Sequence, residues 1–477
     1  MKSNIWRGSA TDGVYVPVYR GALTTELTVR YGETEYRMQA AMEDGEAPLY
    51  YAYLPGRGEV TLAGATAPYC AAIRTEPADI PDEPERPECH VTAPAGWIND
   101  PNGLHFADGV YHAYYQHNPL SVRWGNMTWG HAVSTDLLHW TTMRPVMYPD
   151  ETGTMYSGSA VVTPDGERVF FYTAAGGESP WSAGRAYTQR CAVSRDGGRT
   201  LEKQGLAVDT IAEKNRDPKV FYHAESGAYI MVLWVEDADF AILRSTDLKN
   251  WTETQRLTLD GGYECPDLFR LVEADGTAHW IFWTANGTWY DGTFDGCRFE
   301  WDGKIHRAYA VRESYAAQTF SGTDRVISTM WIRFPNNGRC FTGALGLPRT
   351  LGLTRRGGEL MIAQRPVREW DDARAAFASG CGTHTMPDGA WELSLRRTGG
   401  AIGVRLGTWA LRWDGETLVV GDQTFAVPGE TLRLIGDGFI GELFADDGVW
   451  YAPVDLSGCG RVATVAGAAE CEWYTVR

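Results

Sequence analysis

The feature that most constrains the fold is a spacing. Five sites have the same local grammar, a small polar or acidic cluster leading into an apolar run: Asn99-Asp100-Pro101, Ser157-Gly158-Ser159, Arg216-Asp217-Pro218, Cys265-Pro266-Asp267 and Ala317-Gln318-Thr319. With Asp100, Ser159, Asp217, Asp267 and Gln318 as heads, the intervals are 59, 58, 50 and 51 residues. Behind each head comes an aromatic, β-rich stretch: Val110 to Tyr115, Val169 to Tyr172, Tyr229 to Trp234, His279 to Trp283 and Val326 to Trp331. Behind the first four come turn signals, Ser134 to Leu137, Ser194 to Gly197, Ser245 to Leu248 and Asp295-Gly296. A repeat of this size with about four short strands is the signature of a propeller blade, and five such units close a ring that leaves only short, protected sheet edges. Regular turn signals also occur in β-sandwiches, which is the competing architecture. In a propeller the first strand of each blade lines the central channel, so Asp100, Asp217 and the region of Glu264 should meet at one funnel.

The segments around the ladder divide the rest of the chain. Residues 77–88 are Pro-rich and acidic and read as a semi-rigid linker, which makes residues 1–76 a small β-rich unit. The propeller is expected over 89–366. Alternating stretches within 367–477, such as Trp391 to Leu395, Trp409 to Trp413, Thr417 to Val420 and Thr431 to Ile435, predict a C-terminal β-sandwich, with a short connecting helix over Asp372 to Ala378. The class is therefore all-β. The 54 glycines, 19 tryptophans and 23 tyrosines suit a turn-rich fold with flat, polar-tipped rings at its surface.

Charge narrows the partners. Lys and Arg number 43 against 61 Asp and Glu, a formal −18, which repels phosphate backbones and anionic lipid, so neither nucleic acid nor a membrane is expected. The nine cysteines are scattered without a C-x-x-C pair and read as free, mostly buried thiols rather than a disulfide framework or zinc site. Arg7 and Asp12 interrupt the first apolar positions, so a cytoplasmic setting is the expectation, with a removed leader as the alternative. A homo-oligomer is left open.

P-loop, Rossmann, H-E-x-x-H and G-x-S-x-G motifs are absent. What remains is a set of acids in rigid, apolar surroundings: Asp100 in Trp97-Ile98-Asn99-Asp100-Pro101-Asn102-Gly103, Asp217 in Asn215-Arg216-Asp217-Pro218, and Glu264 in Tyr263-Glu264-Cys265-Pro266-Asp267. A glycosidase needs one carboxylate ionised and another protonated near neutral pH, a split produced by burial, proximity and hydrogen bonds. Three such sites could supply it.

These motifs, with Tyr114-Tyr115-Gln116-His117-Asn118-Pro119, Trp124-Gly125-Asn126-Met127-Thr128-Trp129-Gly130-His131-Ala132, Tyr156-Ser157-Gly158-Ser159-Ala160, Tyr315-Ala316-Ala317-Gln318-Thr319-Phe320 and Leu347-Pro348-Arg349, run in order from His90 to about Pro366. Together the set resembles glycoside hydrolase family 32, the β-fructofuranosidases that include invertases, levanases and inulinases. Gly441 to Gly448 matches more weakly, and the first 88 residues match nothing recognisable. The resemblance implies a five-bladed propeller followed by a sandwich, and a retaining mechanism with Asp100 as nucleophile and Glu264 as acid/base, at a separation of about 5–5.5 Å. It also implies that Asp217 holds sugar hydroxyls and supports the transition state, with Arg216 compensating the acids, and that Asn99, Gln116, Trp124, Tyr156, Ser157 and Trp331 line the fructose pocket. No cofactor or metal is implied. The substrate expected is the fructose end of short fructans, with sucrose as a further one, cut one unit at a time. Sucrose 6-phosphate hydrolysis, fructosyl transfer and a sugar-binding protein on a hydrolase scaffold are the alternatives.

Overall fold

The computed structural model describes residues 5–42 and 47–477; residues 1–4 and 43–46, within the 1–76 segment, lie outside it. Five antiparallel sheets follow one another along the chain and form the blades of a propeller. Their innermost strands are Gly96–Ala107, Thr154–Val162, Arg216–His223, Asp267–Val272 and Ser314–Thr319, so every head of the sequence ladder sits on a channel-lining strand. The aromatic stretches become the second strands, Val110–Asn118, Arg168–Ala175, Ala228–Glu236, Ala278–Trp283 and Ile327–Ile332. Covered by neighbouring blades on both faces, most of these are apolar nearly throughout rather than alternating.

The predicted turns are the outer hairpins of blades one to four, and one device builds them all. Asp136, Asp196, Asp247 and Asp295 each accept two backbone N–H groups from the two to four residues that follow. Such Asx turns stand in for a backbone turn. The fifth blade lacks this landmark because its outer hairpin, between Arg349–Arg356 and Glu359–Pro366, turns through Gly357-Gly358, both at positive φ. The ring is shut by Phe341–Thr342, which pairs in parallel with Gly96 and Trp97 of the first blade.

The C-terminal region is a sandwich of two six-stranded antiparallel sheets. One runs in the order Arg374–Ser379, Ala469–Val476, Trp391–Arg397, Thr431–Asp437, Ile440–Ala445, Trp450–Asp455, and the other contains Trp409–Trp413 and Thr417–Val420. The connecting helix lies earlier than the sequence predicts, at Arg368–Ala373, with Glu369 and Asp371 in its first turn. Residues from Arg374 onward are instead drawn into a ladder with the last strand of the chain.

Of residues 5–76, four strands form one sheet in the order Ile5–Ala10, Gly58–Ala63, Thr25–Tyr31, Thr34–Ala40, and Gly13–Val18 pairs with Tyr50–Pro55. The tyrosine cluster is built in: Tyr50 is buried and donates to the Pro119 carbonyl, and Tyr53 donates to Asp12. One apolar cluster runs unbroken from Leu27 and Tyr50 through Tyr115 and Phe341 to Tyr451. Residues 77–88 form no strand or helix, but they are not a free spacer. Glu83 accepts from the Cys340 N–H, Glu85 from Gly458, and Asp437 accepts the N–H groups of Glu88, Cys89 and His90. At the same junction the His90 ring bridges Asp437 at 2.8 Å and Glu442 at 3.1 Å, all three buried.

Candidate active site

The channel mouth is shaped by a recurring irregularity. On the inner strands of blades one, two, three and five, the ladder skips so that two residues face one on the second strand: Asn99-Asp100, Tyr156-Ser157, Asp217-Pro218 and Ala316-Ala317. A β-bulge of this kind breaks the alternation of faces and re-aims side chains. Pro101 and Pro218 are tolerated there because a bulge relieves the ladder of an N–H. The fourth blade reaches the same place differently. Glu264 and Cys265 lie at φ 30° and 41° just before Pro266 and the strand start, held by the Ala285 N–H, which donates to the carbonyls of Tyr263 and Glu264 at 3.0 Å each. Asp217 also sits in the left-handed region, at φ 64°. Non-glycine residues held this way cost about 1–3 kcal/mol each and concentrate where function demands an orientation.

The three acids form one network. Ser157 Oγ donates to Asp100 Oδ2 at 2.6 Å. Arg216 donates through two nitrogens to Glu264 Oε2, at 3.0 and 2.6 Å, and its Nε lies 3.8 Å from Asp217 Oδ2. The Cys265 thiol stands between the other two acids, 3.4 Å from Asp217 Oδ2 and 3.7 Å from Asp100 Oδ2. Three carboxylates against one guanidinium is an under-compensated site. Burial, with the Glu264 charge, pushes the Asp100 carboxyl above its ordinary range. Burial also pushes Asp217 up to about 7, Arg216 opposing and Glu264 and Asp100 reinforcing. Buried among these acids, the Cys265 thiol is pushed well up and stays protonated.

The other predicted residues divide by position. Asn99 shares the bulge with Asp100 and accepts from Trp97 Nε1 at 2.7 Å. Trp331 packs edge-on to Trp97, ring centroids 5.6 Å apart, as one wall. Trp124, half exposed, and Tyr156 form the rim in a T-shaped pair 5.9 Å apart. Gln116 faces the Asn99-Asp100 bulge from the second strand, is buried, and donates to the Met155 carbonyl at 2.9 Å. The ladder heads also part company. Asp100 and Asp217 reach the mouth, whereas Ser159, Asp267 and Gln318 tie blades together. Asp267 accepts from the Thr319 N–H and hydroxyl and meets Lys219 Nζ at 3.2 Å, all buried.

Sequence reasoning gave no role to four residues that complete the site. Tyr315 donates its hydroxyl to Glu264 Oε1 at 2.6 Å. The Arg216 guanidinium lies 3.9 Å from the centroid of the Trp234 ring. Thr173 Oγ1 accepts the Asp217 N–H at 3.0 Å, and Arg333 stacks on Tyr315 at 4.2 Å. Tyr315 stood within a recognised motif and Trp234 ended a predicted strand; nothing local marked Thr173 or Arg333.

The sequence model of the glycosyl hydrolases family 32 N-terminal domain matches residues 90–366. A levanase of Bacillus subtilis (strain 168) is 33% identical over 334 residues, covering 61% of this chain and 48% of that one. An invertase of Debaryomyces hansenii is 34% identical over 322 residues, covering 59% and 60%. The chain thus spans about half the length of the curated relatives it matches. In fold it is similar to the exo-inulinase from Aspergillus awamori, with a TM-score of 0.72 at 20% identity, over 83% of this chain and 99% of that one.

Proposed function

From the premise that the chain belongs to glycosyl hydrolase family 32, we propose that it is a retaining β-fructofuranosidase that releases fructose from the non-reducing end of fructans and from sucrose. Asp100 is the nucleophile. Its carboxylate attacks C2 of the terminal fructosyl unit while the glycosidic C2–O bond breaks, and the leaving oxygen takes the proton of Glu264. Water then attacks C2 as Glu264 recovers a proton, the C2–Asp100 bond breaks, and fructose leaves. Asp217 binds sugar hydroxyls and faces the oxocarbenium-like charge, and Arg216, stacked on Trp234, keeps the three acids from repelling one another. Asn99, Gln116, Ser157, Tyr156, Trp124 and Trp331 make the pocket, amides and hydroxyls for sugar hydroxyls and rings for its apolar faces.

The observation that carries this is the Asp100, Asp217 and Glu264 cluster, joined through Ser157, Cys265 and Arg216 at one end of the channel. The levanase and invertase names of the relatives support a fructoside as substrate. The test is product analysis on sucrose, raffinose, inulin and levan. Fructose alone from the first minutes is expected; early fructo-oligosaccharides would show endo cleavage. Glu264→Gln should be slower by roughly 10²–10⁴-fold on natural fructosides and recover partly on substrates with good leaving groups, which need little protonation. Equal loss on both would remove Glu264 from the acid role.

A further inference from the structure

Residues 5–76 precede the matched region, yet they grip a loop that carries part of the pocket proposed above. Among the described residues the strand Thr34–Ala40 is the edge of its sheet, paired on one side only. On its open side the Gln39 N–H donates to Asn126 Oδ1 at 2.7 Å, and Asn126 Nδ2 donates to the Gln39 carbonyl at 2.8 Å. The Asn126 carboxamide thus plays the part of a peptide unit in a ladder and closes the edge. Asn126 is in the left-handed region at φ 44° and its Nδ2 also reaches Asn118 Oδ1 at 3.1 Å, so the whole turn is fixed from two sides. Gly125, at φ 146°, comes so close to Leu23 that an added Cβ would lie 2.7 Å from Leu23 Cδ1. Both contacts fall on the two residues that follow Trp124, whose ring is half exposed and packs against Tyr156, the residue before Ser157.

We propose that the N-terminal unit is a working part of the sugar site: Gln39 and Leu23 are positioning residues that hold the Trp124 platform at the channel mouth. The inference rests on the fructosidase reading for its substrate, but the hold on the loop does not. A side chain half exposed at the rim contributes binding only if its backbone is fixed before the sugar arrives, because ordering it on binding would weaken affinity. Arg20 of the same unit donates to Asn336 Oδ1 at 3.1 Å, three residues along the chain from Arg333, which stacks on Tyr315.

The test is the full-length double variant Leu23→Ala/Gln39→Pro. Proline suits this edge position because its lost N–H faces Asn126 rather than the sheet. The control is Arg144→Ala, which removes the exposed Arg144 contact with Asp12 at the same interface without touching the loop. In the double variant, amide exchange over residues 120–127 should quicken by about tenfold or more, the loop having lost its brace. KM for sucrose or short fructans should rise about fivefold with kcat within about twofold, the pattern of lost uniform binding. Arg144→Ala should change neither. Unchanged exchange and KM in the double variant, or equal shifts in the control, overturn the proposal. A wild-type chain inert on every fructoside would sink the fructosidase reading instead, and the exchange comparison would still decide whether the unit holds the loop.

Discussion

Two buried acid sites in this molecule are built on opposite terms. At the channel mouth three acids stand together with one guanidinium, which meets Asp217 and Glu264, and the Asp100 and Asp217 carboxyls are pushed above their ordinary range. In the sandwich a single carboxylate, Glu392, fully buried, receives Trp370 Nε1 at 2.7 Å, Arg374 at 2.7 Å and Arg433 at 2.9 and 2.8 Å. Every lone-pair direction of Glu392 is met, whereas at the mouth Glu264 takes the Arg216 and Tyr315 bonds and leaves Asp217 3.8 Å from the same guanidinium. Full compensation marks an acid that holds structure together; deficit marks one kept available for a substrate.

The largest expected effect separates the two in one step. Asp100→Ala should lower kcat by about ten-thousandfold or more with the melting temperature kept or raised, since a covalent step is lost and a repulsion with it. Steady-state kinetics beside a thermal melt checks this; wild-type turnover would end the nucleophile assignment. Glu392→Ala should do the reverse. Stranding Arg374, Arg433 and the Trp370 indole should cost about 3 kcal/mol of stability, while kcat per folded molecule holds, as denaturant titration and active-site normalisation would show.

The third prediction uses pH. Because the folded value of Asp217 lies above its unfolded 3.8, at about 7, the native chain holds that proton longer than the unfolded one. Its contribution to stability therefore falls as pH rises between about 4 and 7. Asp217→Asn, whose side chain tolerates the left-handed backbone, should gain on the order of 2 kcal/mol over wild type at pH 8 and nothing at pH 4, and lose activity at both. The junction runs the other way. His90 and three backbone N–H groups outweigh burial and hold Asp437 below its ordinary range, so its stabilisation is present above 3.8 and is lost as the pH falls further. An Asp217→Asn melt that parallels wild type across the range would dissolve the contrast. The smallest effect belongs to Tyr315→Phe, which removes one donor from Glu264 and should lower kcat/KM by about tenfold, with a shift in the pH profile that a packing role would not produce.

What the sequence made legible was whatever repeats or is local. The ladder placed all five inner strands because each blade solves the same burial problem, and the first four do so with the same turn chemistry, the Asp of each Asx turn included. The three acids stood out in the sequence because the prolines beside them are a local signature. Long-range pairing was hidden. Asp372 to Ala378 reads as a short helix, and only the final strand of the chain converts its residues from Arg374 onward to sheet. Thr173 and Arg333 carry no mark until blades two and five are folded around the mouth. The linker reading of 77–88 missed that its acids and amides find partners at Cys340, Asp437 and Gly458, far along the chain.

The short parallel pairing of Phe341–Thr342 with Gly96 and Trp97 has a consequence for how the protein is made. A chain emerging from the ribosome can zip each hairpin of blades one to four as it appears, since those contacts are between neighbours in sequence. The first blade, however, keeps a raw flank until the last turn of the ring has been synthesised. Ring closure is thus a late event, and any chain ending before Thr342 would present an unsatisfied flank to its neighbours in the cell.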